Sequence, residues 1–418
     1  MSTTESQKYL DMIIDEPAQI GRWLGFEDLT DLHNGWIQEM MFAEDDVTLL
    51  AHRGSYKTTC LSIAIALLMI LFPKITIIFF RKTDTDVKEV IKQVANILKS
   101  DVLFLFVKKI YGVEIKLTEE SSFNLTTNLV ETTKGASQLL GLGINSSITG
   151  KHGDLIITDD IVNLRDRVSK AKRDETKTNY MELQNIKNRK GRILNTGTPW
   201  HKEDAISGMP NKKFCDCYNT GLITRKELEK IRQSMTASLF AANYELKHIA
   251  DEDALFTNPN FTDKTETIYN GICHIDAAYG GQDGTALTIA KKTDKGFVLF
   301  GKRWNKHVDD CLDEIELLIE KYRGGSISCE KNADKGYLAK ELRRRKHVVN
   351  EYQETTNKFI KISTHLRSNW GKIEFLEDTD PEYINEILDY TEDAEHDDAP
   401  DSAASILRKL TDKKGWMV

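Results

Sequence analysis

The sequence predicts an α/β protein of two domains, on three observations. The chain has 418 residues, which is too long for one ordinary hydrophobic core. Between residues 30 and 210, apolar strand patterns alternate with helical patterns, which is typical of a parallel sheet. From Gly271 onwards, three strands separated by short turns indicate a mixed sheet that begins as an antiparallel meander. We therefore place one domain at 1–210, a connector at 211–255 and a second domain at 256–418.

The elements of the first domain follow from continuous apolar runs and helical periodicity. The runs 47–51 and 74–81 predict strands buried on both faces of the sheet. Helical patterns follow them, at 57–71 and 84–100. The other elements expected here are a hairpin on both sides of Asn128 (121–135), strands at 154–160 and 191–200, and a long polar helix at about 165–189.

The second domain is expected to continue its meander with alternating helices and strands. The three strands of the meander lie in "GICHIDAAYG", "GTALTIAKK" and "GFVLFGKRW". After them we predict a helix at 309–323, a strand at 326–330, a helix at 335–346 and a strand at 348–353. Further helices follow, so the sheet of this domain is mixed.

Composition limits the function classes. Apolar residues make up 40% of the chain and charged residues 29%, which is normal for a soluble globular protein. The longest apolar run, around 61–72, is about half of what spans a bilayer. The polar, acidic N-terminus does not resemble a secretory signal. The six cysteines form no CxxC pair, so we expect reduced cytosolic thiols rather than a zinc site.

The net charge of −8 argues against a protein covered in basic surface. Binding of nucleic acid needs only a local basic stripe, and two such stretches occur, at 165–192 and 340–347. Each stretch is more typical of a solvated helix face than of a nucleic-acid groove, so charge alone does not establish nucleic-acid binding.

The stretch "AHRGSYKTT" (51–59) has the order of a phosphate-binding loop: strand, tight turn, Lys-Thr and helix. Gly54 supplies the turn, Lys57 the charge for the phosphates and Thr58 the hydroxyl for Mg²⁺. Two glycines of the G-x-x-x-x-G-K-[ST] pattern are replaced, by Ala51 and Tyr56. By itself the stretch is therefore also compatible with a lysine at the start of an ordinary helix.

Two further strand ends favour a nucleotide site. "LIITDD" ends in Asp159, which would hold the Mg²⁺, and Asp160, which would orient or activate the attacking water. "ILNTGTP" ends in small polar residues that would lie beside the γ-phosphate and report hydrolysis, namely Asn195, Thr196 and Thr198. In ATPases of the phosphate-loop class with an added central strand, this strand lies between the other two. The three segments in this order predict a nucleoside triphosphatase.

Four carboxylates of the second domain form another candidate site. Asp276 and Glu330 close strands that would be neighbours in a ribonuclease-H-like sheet, and Asp398 and Asp401 lie three apart at the start of a helix. Together they could hold two divalent ions for phosphodiester cleavage. His396 could assist as a proton carrier or a ligand. The alternative is that Asp398 and Asp401 only cap the helix.

These motifs together resemble the large terminase subunit of tailed bacteriophages, the ATP-driven motor and nuclease that packages DNA into proheads. The resemblance covers residues 20–410, and its most specific parts are "LIITDD", "TGTPW" and "HDDAPDSA". It implies a phosphate-loop ATPase domain of the RecA type followed by a ribonuclease-H-like nuclease domain. It also implies ATP with Mg²⁺ in the first domain and two Mg²⁺ or Mn²⁺ ions in the second.

The resemblance assigns further residues. The phosphate loop with its nucleotide contacts would comprise Arg53, Gly54, Ser55, Lys57, Thr58 and Thr59, and the coupling motif Thr196, Gly197 and Thr198. Gln38 would read adenine. Asp160 stands where many members have a glutamate. A trans-acting arginine finger would come from the next subunit, with Arg165, Arg167 and Lys151 as open candidates.

The resemblance also implies partners and location. These are double-stranded DNA, the small terminase subunit, the portal protein of the prohead and further copies of the chain in a ring, although the free chain could be a monomer. No membrane is implied, and the site of action would be the host cytoplasm.

Two other hypotheses compete with this interpretation. One is a helicase or remodeller with a non-cutting second domain, but the meander at 271–304 is unlike a second RecA-type sheet. The other is an ATP-binding module whose second domain only docks partners. The packaging strategy and ring size do not follow from the sequence.

Overall fold

The chain forms two α/β units. The computed structural model describes residues 3–130, 135–235, 237–247, 255–279, 284–331, 336–391, 394 and 396–411. The first unit comprises Met1–Arg167, Ala171–Glu229 and Phe240–His248, and the second comprises Val168–Lys170, Lys230–Leu239 and Ile249–Val418. Residues of the expected connector (211–255) are thus divided between the two units.

The first unit contains an eight-stranded sheet in the order β3-β4-β5-β2-β6-β7-β1-β8. Its strands are β1 (Val47–Ala51), β2 (Ile77–Arg81), β3 (Leu117–Glu120), β4 (Asn124–Thr127), β5 (Leu139–Gly143), β6 (Gly153–Asp159), β7 (Lys187–Gly197) and β8 (Lys212–Cys215). The strands from β5 to β8 are all parallel. Strand β7 lies between β6 and β1, as expected for the added central strand.

Helices cover this sheet because their apolar faces pack against its continuous apolar strands. The helices up to residue 240 are α1 (Thr3–Asp15), α2 (Pro17–Trp23), α3 (Asp31–Phe42), α4 (Lys57–Leu71), α5 (Asp84–Leu98), α6 (Asp101–Tyr111), α7 (Leu164–Val168), α8 (Lys170–Glu182), α9 (Arg225–Gln233) and α10 (Ala237–Phe240). Helix α4 is buried along most of its length, so its N-terminus is rigidly placed after β1.

Two local predictions in this unit were wrong. The hairpin turns at residues 121–123 rather than at Asn128, because the Ser121 hydroxyl accepts hydrogen bonds from the amides of Phe123 and Asn124. Asn128 instead pairs with Lys116, whose amide donates to its side-chain oxygen. The polar helix expected at 165–189 is interrupted at Ser169 and ends at Glu182.

The second unit contains a seven-stranded mixed sheet in the order β14-β13-β10-β11-β12-β15-β9. Its strands are β9 (Asn260–Thr262), β10 (Ile272–Asp276), β11 (Thr285–Lys292), β12 (Phe297–Trp304), β13 (Ile327–Glu330), β14 (Val349–Tyr352) and β15 (Ile373–Leu376). Strands β10, β11 and β12 form the predicted antiparallel meander, and β13 pairs with β10 in parallel. This is the strand order of a ribonuclease-H-like sheet.

The helices of this unit are α11 (Leu312–Lys321), α12 (Tyr337–Arg344), α13 (Lys358–Lys361), α14 (Pro381–Leu388) and α15 (Asp398–Thr411). Helix α15 begins at Asp398 and tolerates Pro400 in its first turn, where no intrahelical N–H bond is lost. The imidazole of buried His274 on β10 bonds the Ser402 hydroxyl, which fixes the start of α15 against the sheet. Half of the turn before β11, residues 280–283, lies outside the described residues.

All six cysteines are free thiols. Within the described part of the chain, no helix has the length and apolar character needed to cross a membrane.

Candidate functional site

The loop between β1 and α4 forms its turn without a glycine before the lysine. Tyr56 takes the left-handed conformation that the glycine would supply, with φ +59°, and Gly54 is also left-handed. Such a conformation costs a non-glycine residue of order 1–3 kcal/mol. The Tyr56 hydroxyl donates to Asp28 at 2.7 Å, and the neighbouring carbonyl of Ser55 lies 3.1 Å from His33 Nε2. These contacts hold the tyrosine in place.

Backbone bonds fix the remainder of the loop. The amide of Arg53 donates to the Asn243 carbonyl at 2.7 Å, and the amide of Ser55 donates to the carbonyl of His52. The Arg53 side chain is exposed. The Ser55 hydroxyl is buried and has no hydrogen-bond partner among the described residues. An unsatisfied hydroxyl beside a helix N-terminus fits the oxygen-rich anion that such a loop binds.

The carboxylate pair at the end of β6 meets the first turn of α4. Lys57 Nζ lies 2.8 Å from Asp160 Oδ1, and the Thr58 hydroxyl donates to Asp159 Oδ2 at 3.0 Å. Asp160 follows the strand with φ +47°. The structure therefore brings together the lysine, the hydroxyl and both aspartates that the sequence singled out.

The end of β7 reaches the same carboxylate. The Thr196 hydroxyl donates to Asp159 Oδ1 at 2.6 Å, and Thr198 is buried nearby along the chain. A Cβ at Gly197 would lie 3.8 Å from Asp160 Oδ1. Asn195 lies one residue earlier and bonds Thr158, Thr48 and Tyr180 instead. Thr196 is thus in direct contact with Asp159.

Arg81 is a site residue that the sequence reasoning missed. It ends β2, the strand beside β6, and its Nε lies 3.2 Å from Asp159 Oδ2. Its Nη2 lies 3.6 Å from Asp160 Oδ2. The terminal arginine of "KITIIFFR" was the available signal, since parallel neighbours end at the same edge. Arg165, one of the three finger candidates, is exposed on α7.

The pKa of the acid at the end of β6 is set by its burial and by a second carboxylate beside it. Asp159 is fully buried, and the pKa of its carboxyl is raised, first by burial and then by the negative charge of Asp160. Lys57 and Arg81 act in the opposite direction and lower it. A bound divalent cation would stabilise the ionised pair further.

Two predicted nucleotide contacts lie in the same unit with different surroundings. Thr59 is half-buried in the first turn of α4. Gln38 lies on α3, and its amide donates to the carbonyls of Ile14 and Asp15 at the end of α1. Its assignment to adenine therefore requires that these bonds be exchanged for the base.

The second candidate site lies at the carboxyl ends of β10 and β13. Asp276 and Glu330 are the last residues of these parallel neighbours, whose register pairs Ile275 with Cys329. Asp401 lies in the first turn of α15 and is 2% exposed. The pKa of Asp276 is raised well above its usual value, first by burial and then by the charges of Asp401 and Asp398. The three aspartates therefore act on one another.

Asp398 has a separate set of neighbours. Its Oδ2 accepts the amide of Gly284 at 2.8 Å, where a Cβ would lie 2.9 Å from the same oxygen. Glu386 accepts the amide of Ala399 and lies 2.6 Å from Arg303 Nε. Burial, followed by the charge of Glu386, raises the pKa of Asp398 to about 7.

Lys361 is the second site residue that the sequence reasoning missed. Its ammonium lies 2.5 Å from Asp401 Oδ1 and 3.3 Å from Glu354 Oε2, and its side chain is completely buried. The pKa of Glu330 is raised by burial, and Lys361 is the main group that lowers it. "NKFIKIS" carries no motif that marks this lysine as buried.

Carboxylate oxygens are the donors that hard divalent ions prefer, so the residue types fit a metal site. Within the described residues, however, no three His, Cys, Asp or Glu side chains converge closely enough to hold an ion. His396 Nδ1 is buried without a hydrogen-bond partner among the same residues. The acidic residue types suit a divalent ion, but among the described residues they do not lie close enough together to form a metal site.

Comparison with known proteins gives structural similarities alone. No protein-family model and no curated protein matches the sequence. The fold is similar to the large terminase of a thermophilic bacteriophage, with 12% identity over 90% of this chain and 98% of that one and a TM-score of 0.38. The fold is also similar to the HK97 bacteriophage large terminase, with 12% identity over 83% of this chain and 85% of that one and a TM-score of 0.37. A third similar structure is the large terminase nuclease of the thermophilic phage G20c, with 16% identity over 38% of this chain and 95% of that one and a TM-score of 0.29.

These similar structures are large terminases, the family that the sequence motifs resemble.

Proposed function

We propose that this chain is the ATP-hydrolysing and DNA-cutting subunit of a viral DNA-packaging motor. The observation that supports it most is a set of side-chain contacts at the end of β6. Lys57 contacts Asp160, and the hydroxyls of Thr58 and Thr196 donate to Asp159. A second set of strand-end carboxylates in the other unit supplies the cutting site. The sequence resemblance joins the two activities in one protein.

In the first unit, the loop and the helix N-terminus would hold the phosphates of ATP. Lys57 would leave Asp160 and neutralise the transferring phosphoryl group, and Asp160 would then be free to orient water. Thr58 and Asp159 would hold the Mg²⁺ of the nucleotide. Exposed Arg53 is free to reach the γ-phosphate, with Gly54, Ser55 and Thr59 lining the loop and Gln38 as the proposed contact to adenine.

Thr196 is the proposed coupling residue. Its hydroxyl contacts Asp159, so loss of the γ-phosphate and its metal would change the position of the end of β7, which is Gly197, and of Thr198 beyond it. Such a change, transmitted to bound DNA, is what would drive translocation.

In the second unit, Asp276, Glu330, Asp398 and Asp401 would form the endonuclease site. Divalent metal held by these acids would supply an activated water and would stabilise the leaving oxygen of a phosphodiester. The protein's own part is to hold the acids at one sheet edge, with α15 fixed through Ser402 and His274. Cutting of concatemeric DNA at the start and end of packaging is the proposed use.

The partners we propose are double-stranded DNA, the small terminase subunit, the portal of the prohead and other copies of this chain in a ring, in the host cytoplasm. Affinity for DNA should come mainly from phosphate contacts and fall steeply with added salt. The domain assignment, 1–210 for the ATPase and 256–418 for the nuclease, belongs to the same proposal.

The test is nicking of supercoiled plasmid in Mn²⁺. Wild type should nick, and Asp276→Ala should lose at least about 100-fold in rate, because a metal-binding acid is gone. Asp294→Ala is the matched control, since Asp294 is exposed in the turn between β11 and β12. Equal cutting by wild type and Asp276→Ala would show that the proposed nuclease site is wrong.

A further inference from the structure

Arg81, at the end of β2, is held near two acids without being hydrogen-bonded to them. Its Nε lies 3.2 Å from Asp159 Oδ2, yet this buried atom has no hydrogen-bond partner among the described residues. The same oxygen already accepts the Thr58 hydroxyl at 3.0 Å. Its Nη2 lies 3.6 Å from Asp160 Oδ2, and its Nη1 reaches the Asp86 carbonyl at 3.5 Å, the limit of a hydrogen bond. The acids therefore attract the guanidinium but leave its donors poorly used.

Lys57 on the same carboxylate pair shows the contrast. Its ammonium makes a hydrogen bond of 2.8 Å to Asp160 Oδ1, so its charge and a donor are both satisfied. A buried donor without an acceptor is unfavourable, which makes Arg81 the cation that gains more from a new partner. The planar fork of a guanidinium matches two oxygens of a phosphate, each taking one N–H.

Space for such a partner adjoins the guanidinium. Arg81 is level with Asp159, because β2 and β6 are parallel neighbours whose register pairs Phe80 with Thr158. Arg81 and Thr58 both line a cavity of about 500 Å³, and most of its remaining wall is helix α5. A phosphate group beside the hydroxyl of Thr58 thus has room within reach of Arg81.

We propose that Arg81 binds the γ-phosphate of ATP and is the residue by which this site distinguishes ATP from ADP. Without nucleotide, the guanidinium faces Asp159 and Asp160. With ATP, its N–H groups would donate to oxygens of the γ-phosphate. With ADP that acceptor is missing, and Arg81 would keep its place at the acids. The inference rests on the proposed ATPase function and adds a specificity-determining residue to it.

The same contact would act during hydrolysis. A guanidinium on the γ-phosphate stabilises the charge of the transferring phosphoryl group, in addition to the charge of Lys57. Arg81 and Asp159 belong to one chain, so this contribution does not depend on a neighbouring copy.

The experiment compares the affinities for two nucleotides. Dissociation constants of ADP and of ATPγS, each with Mg²⁺, are measured by isothermal titration calorimetry on full-length protein. Arg81→Gln should weaken the binding of ATPγS at least about 10-fold and that of ADP less than about twofold, because only ATPγS offers the charged acceptor. Lys74→Gln is the control: it removes an exposed positive charge before the other end of β2 and should change both constants by less than about twofold.

Two results would contradict different parts of the account. If Arg81→Gln weakens both nucleotides equally, or neither, Arg81 does not read the γ-phosphate and the inference is overturned, while the proposed ATP site stands. If wild type binds neither nucleotide, the proposed ATP site itself is overturned.

A second variant separates the charge of Arg81 from its shape. Arg81→Lys keeps a positive charge beside buried Asp159 but replaces the planar fork by a point charge. It should bind ADP as wild type does, whereas its affinity for ATPγS and its ATP turnover should fall at least about 10-fold. Wild-type values for both would overturn the inference. If Arg81→Gln does not fold, as judged by circular dichroism, Arg81→Lys decides the question alone.

Discussion

Each of the two carboxylate sites of this protein contains a lysine–aspartate ion pair, and the two pairs differ in how far they are exposed to solvent. In the first unit, Lys57 pairs with Asp160, whose side chain is 35% exposed. In the second unit, Lys361 pairs with Asp401, and the exposed fraction of both side chains is 3% or less. Lys57 is only 8% exposed, but its partner Asp160 is partly exposed, so this pair is easier to exchange than the fully buried pair of the second unit. Under the proposed function, Lys57 would change partner when a phosphate binds, whereas Lys361 would stay paired with Asp401.

The balance of charge differs as well. Asp159 and Asp160 face two cations, Lys57 and Arg81. In the second unit, the pKa of Asp276 is raised well above its usual value, first by burial and then by the charges of Asp401 and Asp398.

The largest effect should come from removing the exchangeable lysine. Lys57→Ala should lower ATP turnover at least about 100-fold, because the charge that stabilises the transferring phosphoryl group is lost. Phosphate release at steady state measures it, with exposed Lys74→Ala as the control. Turnover retained by Lys57→Ala would rule out the phosphate-loop assignment.

Removing the second cation of the first site should act on stability. Arg81→Gln leaves fully buried Asp159 with one neutralising partner fewer, so the free energy of unfolding of this unit should fall by about 3 kcal/mol. Urea unfolding measures the loss. Arg165→Gln, at an exposed position, should change it by less than about 0.5 kcal/mol. An Arg81 variant as stable as this control would contradict the proposed charge balance.

The buried acid Asp398 should make the second unit sensitive to pH. Its pKa is about 7 in the folded protein against 3.8 ordinarily, so between these values the folded state holds a proton that the unfolded state has lost. The contribution to stability is therefore present at low pH and is lost as the pH rises to about 7. Asp398→Asn should gain melting temperature relative to wild type at pH 8 more than at pH 5.

This measurement is made in EDTA by scanning calorimetry, with Asp294→Asn as the exposed control. A difference between variant and wild type that is the same at both pH values would show that Asp398 does not titrate as its surroundings indicate.

The smallest effect concerns the loop turn. Tyr56→Gly and Tyr56→Ala both lose the bond to Asp28, but only glycine takes φ +59° without strain. The glycine variant should be more stable than the alanine variant by about 1 kcal/mol in urea unfolding. Equal stability would mean that the turn rearranges in these variants.

The sequence predicted the fold because its signals were periodic and repeated. Apolar runs at 47–51 and 154–159 became strands on either side of β7 in one parallel sheet, and the carboxylates at the end of the second run met Lys57 and Thr58. Strand ends at Asp276 and Glu330 came together for the same reason, since parallel neighbours end at one edge.

What could not be predicted depended on single residues without a pattern. Arg81 and Lys361 are isolated basic residues, and only the tertiary structure shows that both face buried acids. Asparagine is common in turns, so Asn128 was the expected turn residue, but the turn lies after Ser121, whose hydroxyl accepts hydrogen bonds from two backbone amides. Gln38 followed from resemblance alone, and its amide lies on the carbonyls at the end of α1.

The most direct test of the whole account measures both activities on the same two variants. ATP turnover and Mn²⁺-dependent plasmid nicking are compared for wild type, Lys57→Ala and Asp276→Ala. The account predicts that Lys57→Ala nicks at the wild-type rate without hydrolysing ATP, and that Asp276→Ala hydrolyses ATP without nicking. Loss of both activities in either variant, or loss of neither, would contradict two separate sites with separate chemistry.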